Sequence, residues 1–300
     1  MPALSIDNLT KQYGNITAVD HLSLDVERGQ VYGILGPNGS GKTTTLGMVL
    51  GITQPNGGSY TWFDGRYGDD YRRHLGALLE TPNFYPYLSA RKNLEIVAHI
   101  KRVAEPQIMR LLEIVNLHRR ADYPFKTFSL GMKQRLAIAA TLVGDPELLI
   151  FDEPANGLDP QGIAEVRNTI IDIADTGKTI LMASHILDEV EKVCSHVAII
   201  KRGNLLTTGT VGAIMSSDLN IEIGAADLDR LRTVLQSEPR VRQIDASEGH
   251  LLLTVEQSLT PGELNALAFR NDLTLDHLRV KKLSLEAEFL AITGDNRSLD

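Results

Sequence analysis

The sequence predicts an α/β fold with a parallel sheet over residues 1–216, followed by a small α+β domain over 217–300. Three observations carry that prediction. Over the first 208 residues short Val/Ile/Leu-rich runs alternate with helical patterns, as covered parallel strands and their crossovers do. After Gly209–Ser217 the order of elements changes. The charge changes there too, because 217–300 hold 15 of the 38 acidic but only 9 of the 30 basic side chains.

In chain order, Ala3–Leu9 and Leu22–Val26 alternate like half-buried strands. Gln30–Leu35, Glu147–Asp152, Thr179–Ala183 and Val197–Lys201 are near-continuous apolar runs, expected as strands buried on both faces. Helices are expected at Gly41–Leu50, Ala90–Val103, Gln107–Asn116, Leu130–Val143, Gln161–Asp175 and Leu187–Cys194. The block from about 66 to 141 lacks strong strand runs and is expected to form a helical subdomain. Beyond 217 the expected order is strand Leu219–Ile223, helix Leu228–Gln236, strands Val241–Ala246 and Leu251–Val255, helix Pro261–Arg270, strand Thr274–Val280 and helix Leu285–Ile292. That is the ferredoxin-like split β-α-β order with one added helix.

Composition narrows function. With 43% hydrophobic and 23% charged residues the 300-residue chain is globular. A net charge of −8, concentrated in the acidic tail domain, argues against nucleic acid or anionic lipid as its partner. One cysteine, Cys194, allows no internal disulfide. Met1–Asp7 has no basic n-region, so no signal peptide is expected. No run approaches the roughly 20 apolar residues of a membrane span. A soluble, cytoplasmic chain is expected, and any membrane role must pass through another polypeptide.

Gly36-Pro37-Asn38-Gly39-Ser40-Gly41-Lys42-Thr43 fits G-x-x-x-x-G-K-[ST] between a buried strand and a helix. Glycines let backbone N–H groups turn inward around phosphates. Lys42 adds a point charge, the Thr43 hydroxyl is placed for Mg²⁺, and Thr44 continues the loop's ATP-binding set. A plain Gly-rich turn accounts for two or three glycines, but not for Lys-Thr at the right place as well. Downstream, Leu148-Leu149-Ile150-Phe151 ends in Asp152 and Glu153. In phosphate-loop NTPases such a strand lies beside the one feeding the loop, its Asp holding the metal, and the next carboxylate can serve as general base. Two solvated acids at a strand end are the bland reading of the pair alone.

Between these motifs Ser129 is an N-cap candidate, and Gly131 keeps the first turn of its helix open, which makes an anion site. A chain with one complete phosphate loop has use for a second site if that site serves another copy's nucleotide. Phe128-Ser129-Leu130-Gly131-Met132-Lys133-Gln134-Arg135 resembles the signature motif of the ATP-binding cassette (ABC) ATPases, and the resemblance covers residues 1 to about 215. It implies a trans contact through Ser129, Leu130, Gly131 and Met132. Leu130 and Met132 stand where many members carry Gly and Gln. The resemblance further implies that Tyr13 stacks on adenine, that Gly157-Leu158-Asp159-Pro160 couples the two sites, and that His185 contacts the γ-phosphate. It also places Glu80 as a metal ligand where the family usually has Gln. That substitution, with Tyr85–Leu88 and Asn93-Leu94 following, looks like the subgroup serving bacitracin resistance and lantibiotic self-protection. Ser284–Leu290 resembles the end of the same exporter ATPases.

Pro82–Tyr87 holds three of the 16 aromatics. Phe84, Tyr85 and Tyr87 are expected to line a groove for a membrane subunit, or else to form a local mini-core around two prolines. The implied function is that of an ATP-hydrolysing exporter subunit for a drug, antimicrobial peptide or lipid-like substrate. It needs Mg²⁺ and ATP, a separate permease and a second cassette in a homodimer or heterodimer, on the cytoplasmic face of the membrane. Glu153, His185 and Lys42 are its expected catalytic residues. Two alternatives stay open: a soluble cassette acting as a switch on ribosomes or DNA, and an importer ATPase. The 217–300 domain could dimerise or regulate the cassettes, or bind another protein.

Overall fold

A computed structural model describes residues 1–79, 83–215, 218–247, 249–256, 258–281 and 284–294. It divides into two compact units, residues 1–210 and 211–300.

The first unit opens with two long antiparallel strands, β1 (Pro2–Tyr13) and β2 (Ile16–Glu27), joined at Gly14 with φ +56°. Leu22, Leu24 and Val26 alternate inward along β2. β3 (Val31–Leu35), buried throughout, leads to the phosphate loop and helix α1 (Lys42–Val49). β4 (Gly57–Trp62) then pairs with β1, giving a three-stranded sheet ordered β2-β1-β4. Short 3₁₀ turns at Phe63–Gly65 and Gly68–His74 lead to β5 (Leu75–Leu78).

The helices between are α2 (Ala90–Ile100), α3 (Ile108–Ile114) and α4 (Leu130–Thr141). Ser89 caps α2 and Ser129 caps α4, each accepting a backbone N–H three residues on. β6 (Leu148–Asp152), α5 (Pro160–Ala174), β7 (Thr179–Ser184), α6 (Leu187–Val193), β8 (His196–Lys201) and β9 (Asn204–Thr210) complete the unit. The main sheet runs β5-β6-β7-β3-β8-β9, parallel except for β9. Leu46, Ile150, Leu181 and Ile200 belong to its core, together with Leu4 and Leu22 of the first sheet.

Two expectations are corrected here. The block expected to be helical contains β5, whose Gly76 lets the sheet edge approach α4: a Cβ there would lie 2.3 Å from the Thr141 carbonyl oxygen. A four-residue run broken by glycine carries little strand signal. Secondly, β6 is not beside β3; β7 stands between them, with Asp152 opposite Ala183 and Leu35 opposite Ser184. An apolar run reports burial on both faces and is silent about neighbours.

The second unit begins with the single turn α7 (Val211–Ile214). There follow β10 (Asp218–Ala225), α8 (Leu228–Gln236), β11 (Val241–Ser247), β12 (His250–Glu256), α9 (Pro261–Arg270), β13 (Leu275–Lys281) and α10 (Leu285–Thr293). The antiparallel sheet is ordered β11-β12-β10-β13, the split β-α-β topology. Ile221, Ile223, Leu251, Leu253 and Val255 face Leu231 and Leu235 of α8 and Leu264 and Ala268 of α9. Asp227 caps α8. Thr260 and Glu263 cap α9 reciprocally, with Pro261 in the first turn.

Candidate functional site: a phosphate loop at the strand ends

Gly36–Thr43 leaves the buried C-terminal end of β3 and turns into α1. Gly41 takes φ +107°, and a Cβ on it would meet the Ala18 carbonyl oxygen of β2 at 2.4 Å. Gly36 is equally confined, 2.3 Å from the Ile200 carbonyl oxygen and from Ser40 Oγ by the same construction. Gly39 has φ +78°. These are positions only glycine fills without strain. The Ser40 N–H bonds to the Pro37 carbonyl at 3.1 Å, and Gly203 N–H bonds to the Ser40 carbonyl at 2.9 Å, so the loop is held from the β8–β9 turn. Ser40 Oγ is buried, with no hydrogen-bond partner among the described residues. That orphaned donor, and backbone turned by three glycines, suit a phosphate oxygen.

Lys42 is 5% exposed, and its ammonium donates to the Gly36 carbonyl at 2.8 Å. It lies 3.6 Å from Glu153 Oε1. Asp152, buried at the end of β6, and the exposed Thr43 in the first turn of α1 supply one carboxylate and one hydroxyl. Among the described residues no group of three His, Cys, Asp or Glu side chains gathers to hold a metal. One carboxylate and one hydroxyl are hard oxygen donors, and they fit an ion that keeps several waters and takes phosphate oxygens, as Mg²⁺ does. Glu80, expected as a third ligand, lies outside the described residues.

Glu153 has φ +50°, uncommon for a residue with a side chain, and its N–H is tied to the Ala183 carbonyl of β7 at 2.9 Å. Its carboxylate meets His185 twice: Nδ1 lies 2.7 Å from Oε2, and the His185 N–H donates to Oε2 at 3.3 Å. The intervening strand β7 makes this pairing, because it brings Ser184-His185 between the ends of β6 and β3. The Glu153–His185 contact was not legible in either motif.

The remaining expected residues fall into three places. Tyr13 is half exposed at the turn of the β1–β2 hairpin, with Lys11 Nζ 5.0 Å from its ring centre. Ser129, Leu130, Gly131 and Met132 form the start of α4, with Leu130 well exposed. Asp159 caps α5 by accepting the Gly162 N–H at 3.0 Å, and the Gly157–Asp159 loop lies against Leu130 and Gly131 of the same chain. In the aromatic loop Phe84 packs edge-on to Phe125 at 5.2 Å, whereas Tyr85 and Tyr87 are 60% and 77% exposed. Phe84 thus packs inward, whereas the Tyr85 and Tyr87 rings stand on the surface. A cavity of about 840 Å³ beside α3 and the ends of α4 and α5 contains none of these residues.

Residues 19–156 match the family model described as ABC transporter. The bacitracin transport ATP-binding protein BcrA of Enterococcus faecalis is 34% identical, over 97% of this chain and 96% of that protein. The lantibiotic transport ATP-binding protein SrtF of Streptococcus pyogenes is 41% identical, over 68% of this chain and 89% of that protein. A solved ATP-binding subunit of an ABC transporter superposes with a TM-score of 0.62 at 29% identity, covering 71% of this chain and 91% of that one.

Proposed function

The chain belongs to the ABC transporter family and is an ATP-binding ATPase subunit, and on that premise we propose that it energises an exporter whose membrane-spanning part is a separate permease. The observation that supports this reading best is the similarity to a bacitracin transport ATP-binding protein along nearly the whole chain. The shorter similarity to a lantibiotic transport protein points the same way. The proposed cargo is an antimicrobial peptide, drug or lipid-like molecule. No helix among the described residues is long and apolar enough to cross a membrane. The reading therefore assigns the pathway to the permease and seats this chain on the cytoplasmic face.

ATP phosphates lie in the turned backbone of Gly36–Thr43, with Lys42 and Ser40 on their oxygens and Tyr13 against adenine. Thr43 and Asp152 would hold Mg²⁺, which when bound offsets the charge of the phosphate oxygens. Glu153 accepts a proton from water as the water oxygen bonds to the γ-phosphorus and the bond to ADP breaks, releasing ADP and phosphate. His185 orients Glu153 through Nδ1, which leaves Nε2 for a γ-phosphate oxygen. A second cassette, identical or homologous, presents its own Ser129–Met132 to this nucleotide, and the Asp159 loop links the two sites. Tyr85 and Tyr87 meet the permease. Residues 217–300 serve an accessory role in dimerising or regulating the pair.

Affinity purification of the tagged chain from detergent-solubilised native membranes tests the assembly. A stoichiometric polytopic partner is expected. If the chain stays in the soluble fraction, or arrives with ribosomal or DNA-repair proteins, the exporter reading falls and the ATPase chemistry stands.

A further inference from the structure

We infer that Asn93 is a positioning residue that fixes the exposed aromatic turn in the shape its partner meets. This rests on the assignment of Tyr85 and Tyr87 to the permease contact. Asn93 sits in the first turns of α2, is 1% exposed, and points its whole amide at the turn. Its Oδ1 accepts the Tyr85 N–H at 2.8 Å. Its Nδ2 faces three carbonyl oxygens, those of Tyr85 at 3.1 Å, Leu88 at 3.3 Å and Ser89 at 3.0 Å. Three acceptors on one side and a donor on the other leave only one orientation for this amide.

The side chain thus pairs with both polar groups of the Tyr85 peptide, as a neighbouring strand would. Leu88 N–H closes the turn on the Tyr85 carbonyl at 3.2 Å. A second support comes from the segment before α4. Lys126 N–H bonds to the Pro86 carbonyl and Phe125 N–H to the Leu88 carbonyl, both at 2.9 Å. Lys126 Nζ lies 4.9 Å from the centre of the Tyr87 ring. That segment runs directly into Ser129, so the turn and the start of α4 share one anchored stretch of chain. Without Asn93 the Tyr85 peptide loses its partners on the α2 side, and two exposed rings must be ordered when the partner binds.

Asn93→Asp is the informative variant: it keeps the shape and the acceptor, removes both donor hydrogens and sets a negative charge against three carbonyl oxygens. Assayed as the full chain with its co-purified membrane partner, it is expected to bind that partner roughly tenfold more weakly. The ratio of partner-stimulated to unstimulated ATP turnover should fall with it. Hydrogen exchange on the unmutated chain tests the latch without any substitution, and so covers the case in which the variant does not fold. The Tyr85 amide should be protected at least about tenfold beyond that of Tyr87. Equal exchange of the two amides, or partner binding by Asn93→Asp within about twofold of the unmutated chain, overturns the inference. The double variant Tyr85→Ala/Tyr87→Ala separates the two levels. If it loses the partner while Asn93→Asp does not, only the role of Asn93 falls; if it keeps full affinity, the surface assignment falls and takes the inference with it.

Discussion

The six-stranded and the four-stranded sheet each bury an apolar core, yet among the described residues only one of them gathers chemistry. In the six-stranded sheet β5, β6, β7, β3 and β8 run parallel, so all five end on one edge. Lys42 and Glu153, 111 positions apart in sequence, meet there with His185, 32 positions further on. In the four-stranded sheet every pair is antiparallel, so neighbouring ends alternate between the two edges and no edge collects loops. The charges differ accordingly. Lys42, which opens α1, and Asp152, which ends β6, are buried. Those of the small unit pair across its surface, Arg240 with Glu238 and Glu263, and Lys281 with Glu222. Strand direction, more than strand composition, decides where a site can form.

The sharpest test of that contrast is at the parallel edge. Glu153→Gln is expected to cut turnover by about 10²–10⁴-fold while ATP is retained, read by phosphate release beside nucleotide binding. Normal turnover would remove the base from this edge. The complementary break is Leu253→Ala in the small sheet, where truncating a fully buried side chain costs about 2–5 kcal/mol. Calorimetry should show residues 211–300 melting earlier, with nucleotide binding to 1–210 kept; loss of nucleotide binding would mean that the two sheets are not energetically separate.

A smaller effect is expected from Gly41→Ala. Its φ of +107° and the 2.4 Å approach to the Ala18 carbonyl oxygen cost about 1–3 kcal/mol and should weaken nucleotide binding in titration calorimetry. The smallest concerns the α9 cap, where Thr260→Ala costs about 1 kcal/mol in chemical denaturation. The Thr260 N–H first, and Arg240 second, hold the Glu263 carboxyl down at about 2. A carboxyl lowered on folding stabilises above its ordinary value of 4.5 and loses that contribution as pH falls toward 2. The difference in melting temperature between the unmutated chain and Glu263→Gln should therefore be full at pH 7 and shrink from pH 4.5 downward.

Much of this was legible because the signals are local. Helices α8 and α9 begin and end at the residues read from sequence, since Asp227, and Thr260 with Glu263, mark their starts within one turn. The phosphate loop reads directly, its glycines and Lys42-Thr43 being contiguous. β4, β5 and β9 escaped: β4 opens on Gly57-Gly58, Gly76 interrupts β5, and β9 carries Asn204, Gly209 and three threonines where a buried strand would carry Val or Ile. Phe84 and Tyr85 are neighbours of similar chemistry, and nothing in their order says that one ring turns inward. Asn93 has no pattern of its own, because a buried amide is recognised only by the carbonyls around it.

The sequence by itself determined the alternation of strands and helices, the phosphate loop, the helix caps and the split order of the second unit. Each of these depends on residues a few positions apart, whose backbone preferences act whatever lies across the fold. The tertiary structure alone decided that β7 lies between β6 and β3, and hence that His185 reaches Glu153, and that Asn93 closes on the Tyr85 turn. Those contacts join residues brought together only when helices cover the sheet, and the free energy that selects them belongs to the packed core as a whole.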